Sequence, residues 1–362
     1  MNKEVISDKQ GMSIIILFIL GGSSIMVSGL SAKTDLWLSM IIALLFSSLY
    51  IRIYYRLLNI LPDKNIYETL ETLLGGVLSR MLLLPLIWFS FDLCSIVLRN
   101  FGQFINTVGL TETPLVVPII CVMLLSSWIV KEGVETLGRW GELFVIFLVI
   151  FLMVQNLFLF PEVNFNNIRP VLNSGIMPIV KGSIEIITFP FLETVSFLLV
   201  LPQLKNKNSA QKIYLSGLLI GGSVLMLSSV TNILVLGVSN ASRVFYPIYF
   251  AARVVKLGGF TERLEIIAAL AFLFGMFVKI SVLHMGTVRG LSWVFKLKNY
   301  YTLAFPISIL IICNTIFSFT NFNDFHDFTF MVWPFYAVPF QIILPVIMLI
   351  LVETKYRKIK KG

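Results

Sequence analysis

Thr188-Phe189-Pro190-Phe191-Leu192-Glu193 stands inside an apolar run, Pro178–Leu201, that is long enough to cross a bilayer. Pro190 removes a backbone donor and disfavours helix at the residue before it. Glu193 puts a carboxylate where hydrocarbon would surround a continuous span. A second interruption lies near the start: Gly21-Gly22-Ser23-Ser24 sits at mid-depth of the run Gly11–Ser31. There the glycines cost helix stability and the serines compete for backbone hydrogen bonds. Glycine also permits close helix packing, and proline can simply kink a helix. The matched positions favour breaks at a site, because each falls in the first member of a group of five apolar runs.

Those runs are Gly11–Ser31, Leu36–Leu57, Met81–Asn106, Leu115–Val130 and Leu143–Phe160, then Pro178–Leu201, Ile213–Val238, Leu264–Phe295, Tyr301–Phe319 and Val332–Val352. They predict an all-α polytopic membrane protein with ten transmembrane helices, the fourth short and the eighth long enough to tilt or project. Two groups of five, each opening on a broken helix, predict a five-plus-five inverted repeat with its ligand site at the bilayer midplane. Repeat one covers about 11–160 and repeat two about 178–319. A tenth helix follows at about 332–352, then a basic cytoplasmic tail at 353–362. The whole chain, 1–362, reads as one transmembrane domain.

Composition agrees with that reading. The chain is 57% hydrophobic and 13% charged, against about 25% charged in soluble domains, and its mean hydropathy is +0.90. The net charge of +9 does not point to nucleic acid, since the basic residues lie in short loops and at the C-terminus, where they act as topology signals and contacts with anionic lipid. With the N-terminus cytoplasmic, that side collects nineteen Lys and Arg against seven opposite (Lys33, Arg169, Lys181, Arg243, Arg253, Lys256 and Arg263), leaving Arg99 and Lys279 inside spans. Both termini are therefore expected in the cytoplasm. Part of Asn240–Arg263, with Tyr246, Tyr249, Phe250, Val254 and Val255, reads as an amphipathic surface helix. The first run lacks a small-residue cleavage site and is expected to be a transmembrane helix rather than a signal peptide.

Charges inside the spans mark the candidate site. Asp92 and Arg99, seven residues apart, project from nearly one face of the third span. They could face a ligand, or hold helices together as a pair, with Arg99 alternatively snorkelling outward. Phe89, Leu93 and Ile96 share helical spacing beside them, as pocket wall or as ordinary packing. Glu193 could accept a ligand ammonium or pair with Arg99. Lys279, midway along the eighth span, is too deep to snorkel and should face carbonyls or a carboxylate, whereas His284 fits a hydrogen-bonded packing role. His326 is expected in an outer loop. Cys94, Cys121 and Cys313 fall within apolar runs and behave as small hydrophobes. No phosphate-binding loop and no His/Cys metal spacing occurs in the sequence, so no enzyme activity, cofactor or metal is expected.

The chain resembles the spore germination permease family, the B subunits of nutrient germinant receptors within the amino acid–polyamine–organocation superfamily. The resemblance covers essentially the whole chain. It is carried by Ile6-Ser7-Asp8-Lys9-Gln10 before a span containing Leu20-Gly21-Gly22-Ser23, by Arg99 and then Thr113-Pro114, and by Arg169-Pro170-Val171-Leu172 with Pro178. Leu201-Pro202 and Glu262-Arg263 complete the series. It implies a leucine-transporter-like fold, whose helices one, three, six and eight surround an amino-acid pocket. Carried over residue by residue, Gly21, Gly22, Ser23 and Ser24 would offer freed amides to a carboxylate. Phe89, Leu93 and Arg99 would come from helix three, and Phe189, Pro190, Phe191, Leu192 and Glu193 from helix six. Lys279 would come from helix eight, where a lysine can replace a coupling sodium ion, with Asp92 as a second candidate coupling residue. Phe191-Leu192-Glu193 stands where family members can carry glycine, which implies a smaller or repolarised pocket. The implied partners are a nutrient, in the first place an amino acid, a membrane A subunit and a lipoprotein C subunit in the spore inner membrane. The implied role is nutrient sensing, with an ion-coupled secondary amino-acid transporter as the alternative and a scaffold or channel component as a third class.

Overall fold

Reciprocal hydrogen bonds between Ser7 and Gln10 open the first helix. The Gln10 N–H donates to Ser7 Oγ at 3.1 Å and the Ser7 N–H to Gln10 Oε1 at 3.0 Å, satisfying locally two of the amides orphaned at a helix start. In the computed structural model, which describes residues 6–61, 63–201, 209–254 and 264–361, α1 runs over Asp8–Ser23. It is followed by α2 (Leu36–Tyr50), α3 (Arg52–Asn59), α4 (Ile66–Leu74), α5 (Gly76–Val108), α6 (Val116–Glu132), α7 (Val134–Leu159) and α8 (Ile176–Ile186). Then come α9 (Phe197–Val200), α10 (Ser209–Ala241), α11 (Pro247–Val254), α12 (Leu264–Val294), α13 (Ala304–Phe317), α14 (Phe322–Asp327), α15 (Trp333–Val338) and α16 (Leu344–Lys361). Among the described residues there is no strand.

Eight helical segments among the described residues are long and apolar enough to cross a membrane. The remaining two runs expected to cross form α1, of 16 residues, and α6, of 17. Large apolar side chains such as Leu45, Leu49, Trp88, Ile146 and Ile309 point outward, as suits a protein solvated by lipid on its flanks and obliged to satisfy its backbone internally. Helix α1 lies at the centre instead. Ile14 to Ser23 are all buried, and the helix packs on α7, α10 and α12. The approach to α12 is the tightest: a Cβ on Gly21 would lie 2.6 Å from the carbonyl carbon of Gly275, and one on Gly275 would lie 2.4 Å from Gly21 Cα. Only glycine on both sides permits this spacing.

The first break is therefore displaced from its expected place. Gly21, Gly22 and Ser23 remain helical, because at Gly21 close packing against α12 replaces the contacts a side chain would make. Winding stops at Ser24, and the chain stays non-helical to Gly29 before a short 3-10 segment, Leu30–Asp35. Helix six breaks where Pro190 predicts. After α8 the chain passes through a wide turn at Ile187–Phe191, in which Phe189 is extended (φ −146°, ψ 113°), then a 3-10 turn at Leu192–Ser196, and ends in α9.

Two further differences concern the tenth helix and the surface helix. The tenth helix starts at Phe322, not near Val332, so His326 lies in α14 rather than in a loop. It continues through wide turns at Phe328–Val332 and Pro339–Ile343. The stretch expected as a tail from 353 remains helical to Lys361, supported by Arg357 at 3.0 Å and Arg56 at 2.9 Å from Glu353. In α11, Ile248, Ala251 and Ala252 face inward while Phe250 and Arg253 face out. Lys3, Pro202, Lys205, Lys207, Val255, Lys256, Glu262 and Arg263 lie outside the described residues.

Candidate functional site

Where α1 unwinds and helix six breaks, the two interruptions meet α12. Lys279, fully buried on α12, donates to Glu193 Oε2 at 2.5 Å, and Glu193 is equally buried in the turn after Pro190. The ammonium also lies 4.9 Å from the ring centre of Phe18 and 4.7 Å from that of Phe189, two aromatic faces that favour a cation. Glu193 Oε1 is buried and has no hydrogen-bond partner among the described residues. Burying an ion pair is tolerable only when its charges are paired and hydrogen-bonded, so an unpartnered carboxylate oxygen is costly.

That carboxylate lies on the wall of a pocket of about 600 Å³, open mouth included. Gly22 supplies part of the floor: a Cβ there would come within 3.2 Å of the Phe189 ring and 3.6 Å of Lys279 Nζ. Along α5, Leu93, Ile96, Val97 and Asn100 line one side at one-face helical spacing. Phe189 and Met276 add apolar wall, and the outer part is closed by Phe245, Tyr246, His326, Phe330 and Trp333. A wider vestibule of about 730 Å³, with Glu185 and Ser31 on its lining, shares Met26, Phe245, His326 and Phe330 with this pocket.

Several carbonyls at the breaks are claimed by protein. The carbonyl of Thr188 accepts from Gln341 Nε2 at 2.9 Å and Trp333 Nε1 at 3.4 Å. The Tyr54 hydroxyl donates to the Gln341 carbonyl at 2.6 Å and lies 3.3 Å from that of Leu192. At the end of α1, Ser23 Oγ donates to the Ile19 carbonyl and Ser24 Oγ to that of Gly21 at 3.2 Å, while the Ile25 carbonyl accepts from the Ile248 N–H at 3.2 Å. The break in α1 leaves the C-terminal end of a helix there, which presents carbonyls rather than amides.

Of the residues singled out from sequence, Gly22, Leu93, Phe189 and Glu193 line the pocket together, and Lys279 stands behind Glu193. Gly21 belongs to the contact with α12, and Ser23 and Ser24 close the end of α1. Phe89 stacks on Trp333 and Phe340 at 5.7 and 5.4 Å, while Phe191 packs against Gly222 of α10. Pro190 and Leu192 are buried in the break itself. Asp92 and Arg99 face elsewhere: Asn314 Nδ2 donates to Asp92 Oδ1 at 3.3 Å, and Arg99 reaches the Thr315 carbonyl at 3.5 Å. Ser95 and Thr315 complete this polar seam between α5 and α13. Of the partners open to Glu193, Arg99 lies elsewhere, and Lys279, expected to face carbonyls or a carboxylate, pairs with it. His284 is a packing residue, its ring nitrogens 3.0 Å from Ser126 Oγ and from the Ala304 carbonyl.

Sequence reasoning missed the outer wall. Asn100 extends the Leu93-Ile96-Val97 face by one turn, and Phe322, Phe325 and Thr329 recur at helical spacing ahead of Trp333, a pattern that could have marked a buried helix face.

A profile of the family described as spore germination protein matches residues 5–323. The chain belongs to that family. Spore germination protein KB of Bacillus subtilis (strain 168) is 28% identical over 100% of this chain and 98% of its own length. Spore germination protein XB of Bacillus anthracis is 23% identical, with 82% of each chain covered. Among solved structures, the nucleobase-cation-symport-1 family transporter MHP1, described as closed with bromovinylhydantoin bound, superposes with a TM-score of 0.66 at 11% identity, covering 96% of this chain and 78% of that one. A manganese transporter of Eremococcus coleocola gives 0.62 at 12% identity, covering 96% and 85%. The likeness establishes a leucine-transporter-like fold, and with the apolar helices it makes this spore germination family member a multi-pass integral membrane protein.

Proposed function

We propose that the chain is the nutrient-sensing subunit of a spore germinant receptor, that its ligand is an amino acid held between the two broken helices, and that it signals to partner subunits without performing chemistry. The observation that carries this is the unpartnered Oε1 of Glu193, buried on the wall of an apolar pocket where α1 and helix six both lose their winding. A ligand ammonium at that oxygen would supply the missing hydrogen bond. Binding shifts the protein between two states only to the extent that the ligand prefers one of them. The family resemblance supports a membrane A subunit and a lipoprotein C subunit as partners in the spore inner membrane, and the asymmetry of Lys and Arg supports both termini in the cytoplasm.

The fold likeness to two transporters supports an alternative, an ion-coupled secondary amino-acid transporter, in which Lys279 stands in for a coupling cation. Purified protein reconstituted in liposomes separates the two with a panel of radiolabelled amino acids. A sensing subunit binds a member of the panel and shows no sustained uptake under a proton or sodium gradient. Gradient-driven accumulation establishes the transporter instead, and absence of binding across the panel rejects the site.

A further inference from the structure

The pocket lining carries one carboxylate, that of Glu193, and groups able to donate sit elsewhere on its walls. Tyr246, just before α11, is 6% exposed, lines the pocket, and its hydroxyl has no hydrogen-bond partner among the described residues. Its ring is fixed edge-on against Phe104 of α5 at 5.1 Å, so the hydroxyl is placed by packing rather than by polar contacts. Asn100, one turn before Phe104 on the same helix, also lines the pocket, and its Nδ2 has as its assigned contact the Met26 sulfur at 3.9 Å, a weak acceptor. Both groups can donate; the Tyr246 hydroxyl is buried, where a donor without an acceptor is costly, and the half-buried Asn100 amide meets only a poor one. At the end of α1 the Ser23 and Ser24 hydroxyls are spent on the carbonyls of Ile19 and Gly21, and the helix end exposed there is the negative one, which disfavours a carboxylate. Between the two polar groups the lining is apolar, from Leu93, Ile96, Val97, Met276 and Phe189.

From this arrangement we infer that Tyr246 and Asn100 hold the carboxylate of a zwitterionic amino acid with an apolar side chain, while Glu193 holds its ammonium. The inference rests on the proposed sensing site and sharpens it by assigning the two ends of the ligand. The carboxylate is then read by side chains of α5 and of the segment leading into α11, not by amides of the broken first helix. Since the Ile248 N–H is bonded to the Ile25 carbonyl, the same segment joins the ligand's carboxylate end to the α1 break.

The test uses the full chain in nanodiscs with radiolabelled alanine, valine, leucine and phenylalanine, and competes the tightest of them with its decarboxylated amine and its deaminated acid. Tyr246→Phe removes a hydroxyl without a partner and should leave thermal stability unchanged. It should weaken amino-acid binding about tenfold, the scale of one hydrogen bond to a charged group, and leave binding of the amine unaltered. Asn100→Leu should behave likewise, whereas Glu193→Gln should weaken the amine and the amino acid together. Wild-type protein that binds none of the four sinks the sensing site itself. Wild-type protein that binds, with affinity for the amino acid unchanged in both Tyr246→Phe and Asn100→Leu, overturns this assignment alone.

Discussion

Two sets of charged side chains lie within the spans, one fully buried and the other with Asp92 half-buried, and their surroundings differ. Lys279 and Glu193 are fully buried and joined across two helices at a point where one of them has lost its winding, and Glu193, which lines the pocket, keeps one carboxylate oxygen without a partner among the described residues. Asp92 and Arg99 lie on a continuous helix and are drawn into hydrogen bonds with Asn314 and the Thr315 carbonyl of α13. The second set ties two rods together along their length, much as polar residues do between membrane helices generally. The first stands where ordinary helix packing has been given up. The contrast teaches that depth in the membrane does not by itself separate a pocket charge from a packing charge; here the loss of regular backbone beside the charge does.

Lys279→Met offers the strongest way to break this contrast. It strands Glu193 without its cation and should destabilise the protein by about 3–5 kcal/mol, read as a large fall in thermal midpoint in detergent. The double variant Lys279→Met/Glu193→Gln should recover most of the loss. A single variant as stable as wild type would mean that the pair is not a coupled unit. Gly275→Ala comes next. Its new Cβ meets the backbone of Gly21, so α1 and α12 must separate, at a cost of about 1–3 kcal/mol. Because Gly275 lies one turn before Lys279, that variant should also weaken ligand binding, whereas an equal stability loss made at the α5–α13 seam should not. Glu193→Gln should reduce affinity for the bound amino acid at least about tenfold, on the scale of a charge-assisted hydrogen bond, measured by equilibrium binding. Asp92→Asn should have the smallest effect, within about 1.5 kcal/mol in stability, the scale of one hydrogen bond, and about twofold in affinity. A larger effect on affinity from Asp92→Asn than from Glu193→Gln would reverse the assignment of the two sets.

Much of this was legible in the sequence because membrane solvation leaves few options. Apolar runs of span length, the proline at position 190 and a carboxylate three residues on fix the second break to within a turn. The first break was less legible, since a glycine pair serves close packing as readily as unwinding, and only the facing Gly275 on a helix about 250 residues away decides for packing at Gly21. Asp92 and Arg99 were read correctly as sharing a face, but which neighbour that face meets depends on tertiary packing. The outer wall was hidden for a different reason. His326, Asp324 and Asp327 gave the segment before Val332 the polarity of a loop, while Phe322, Phe325 and Trp333 beside them supply a buried face that closes the pocket.

The hydrogen bonds from Gln341 and Trp333 to the Thr188 carbonyl, together with that from Tyr54 to Gln341, have a mechanical consequence. Helix six cannot rewind around an arriving or departing molecule without surrendering bonds to the final helix. That final rod, wound with two wide turns from Phe322 to Lys361, measures on the order of 60 Å at 1.5 Å per residue. It is gripped near its middle by the break and clasped near its far end by the bridge from Arg56 to Glu353. A small displacement at the grip must therefore either strain that clasp or swing the basic end of the lever beyond it.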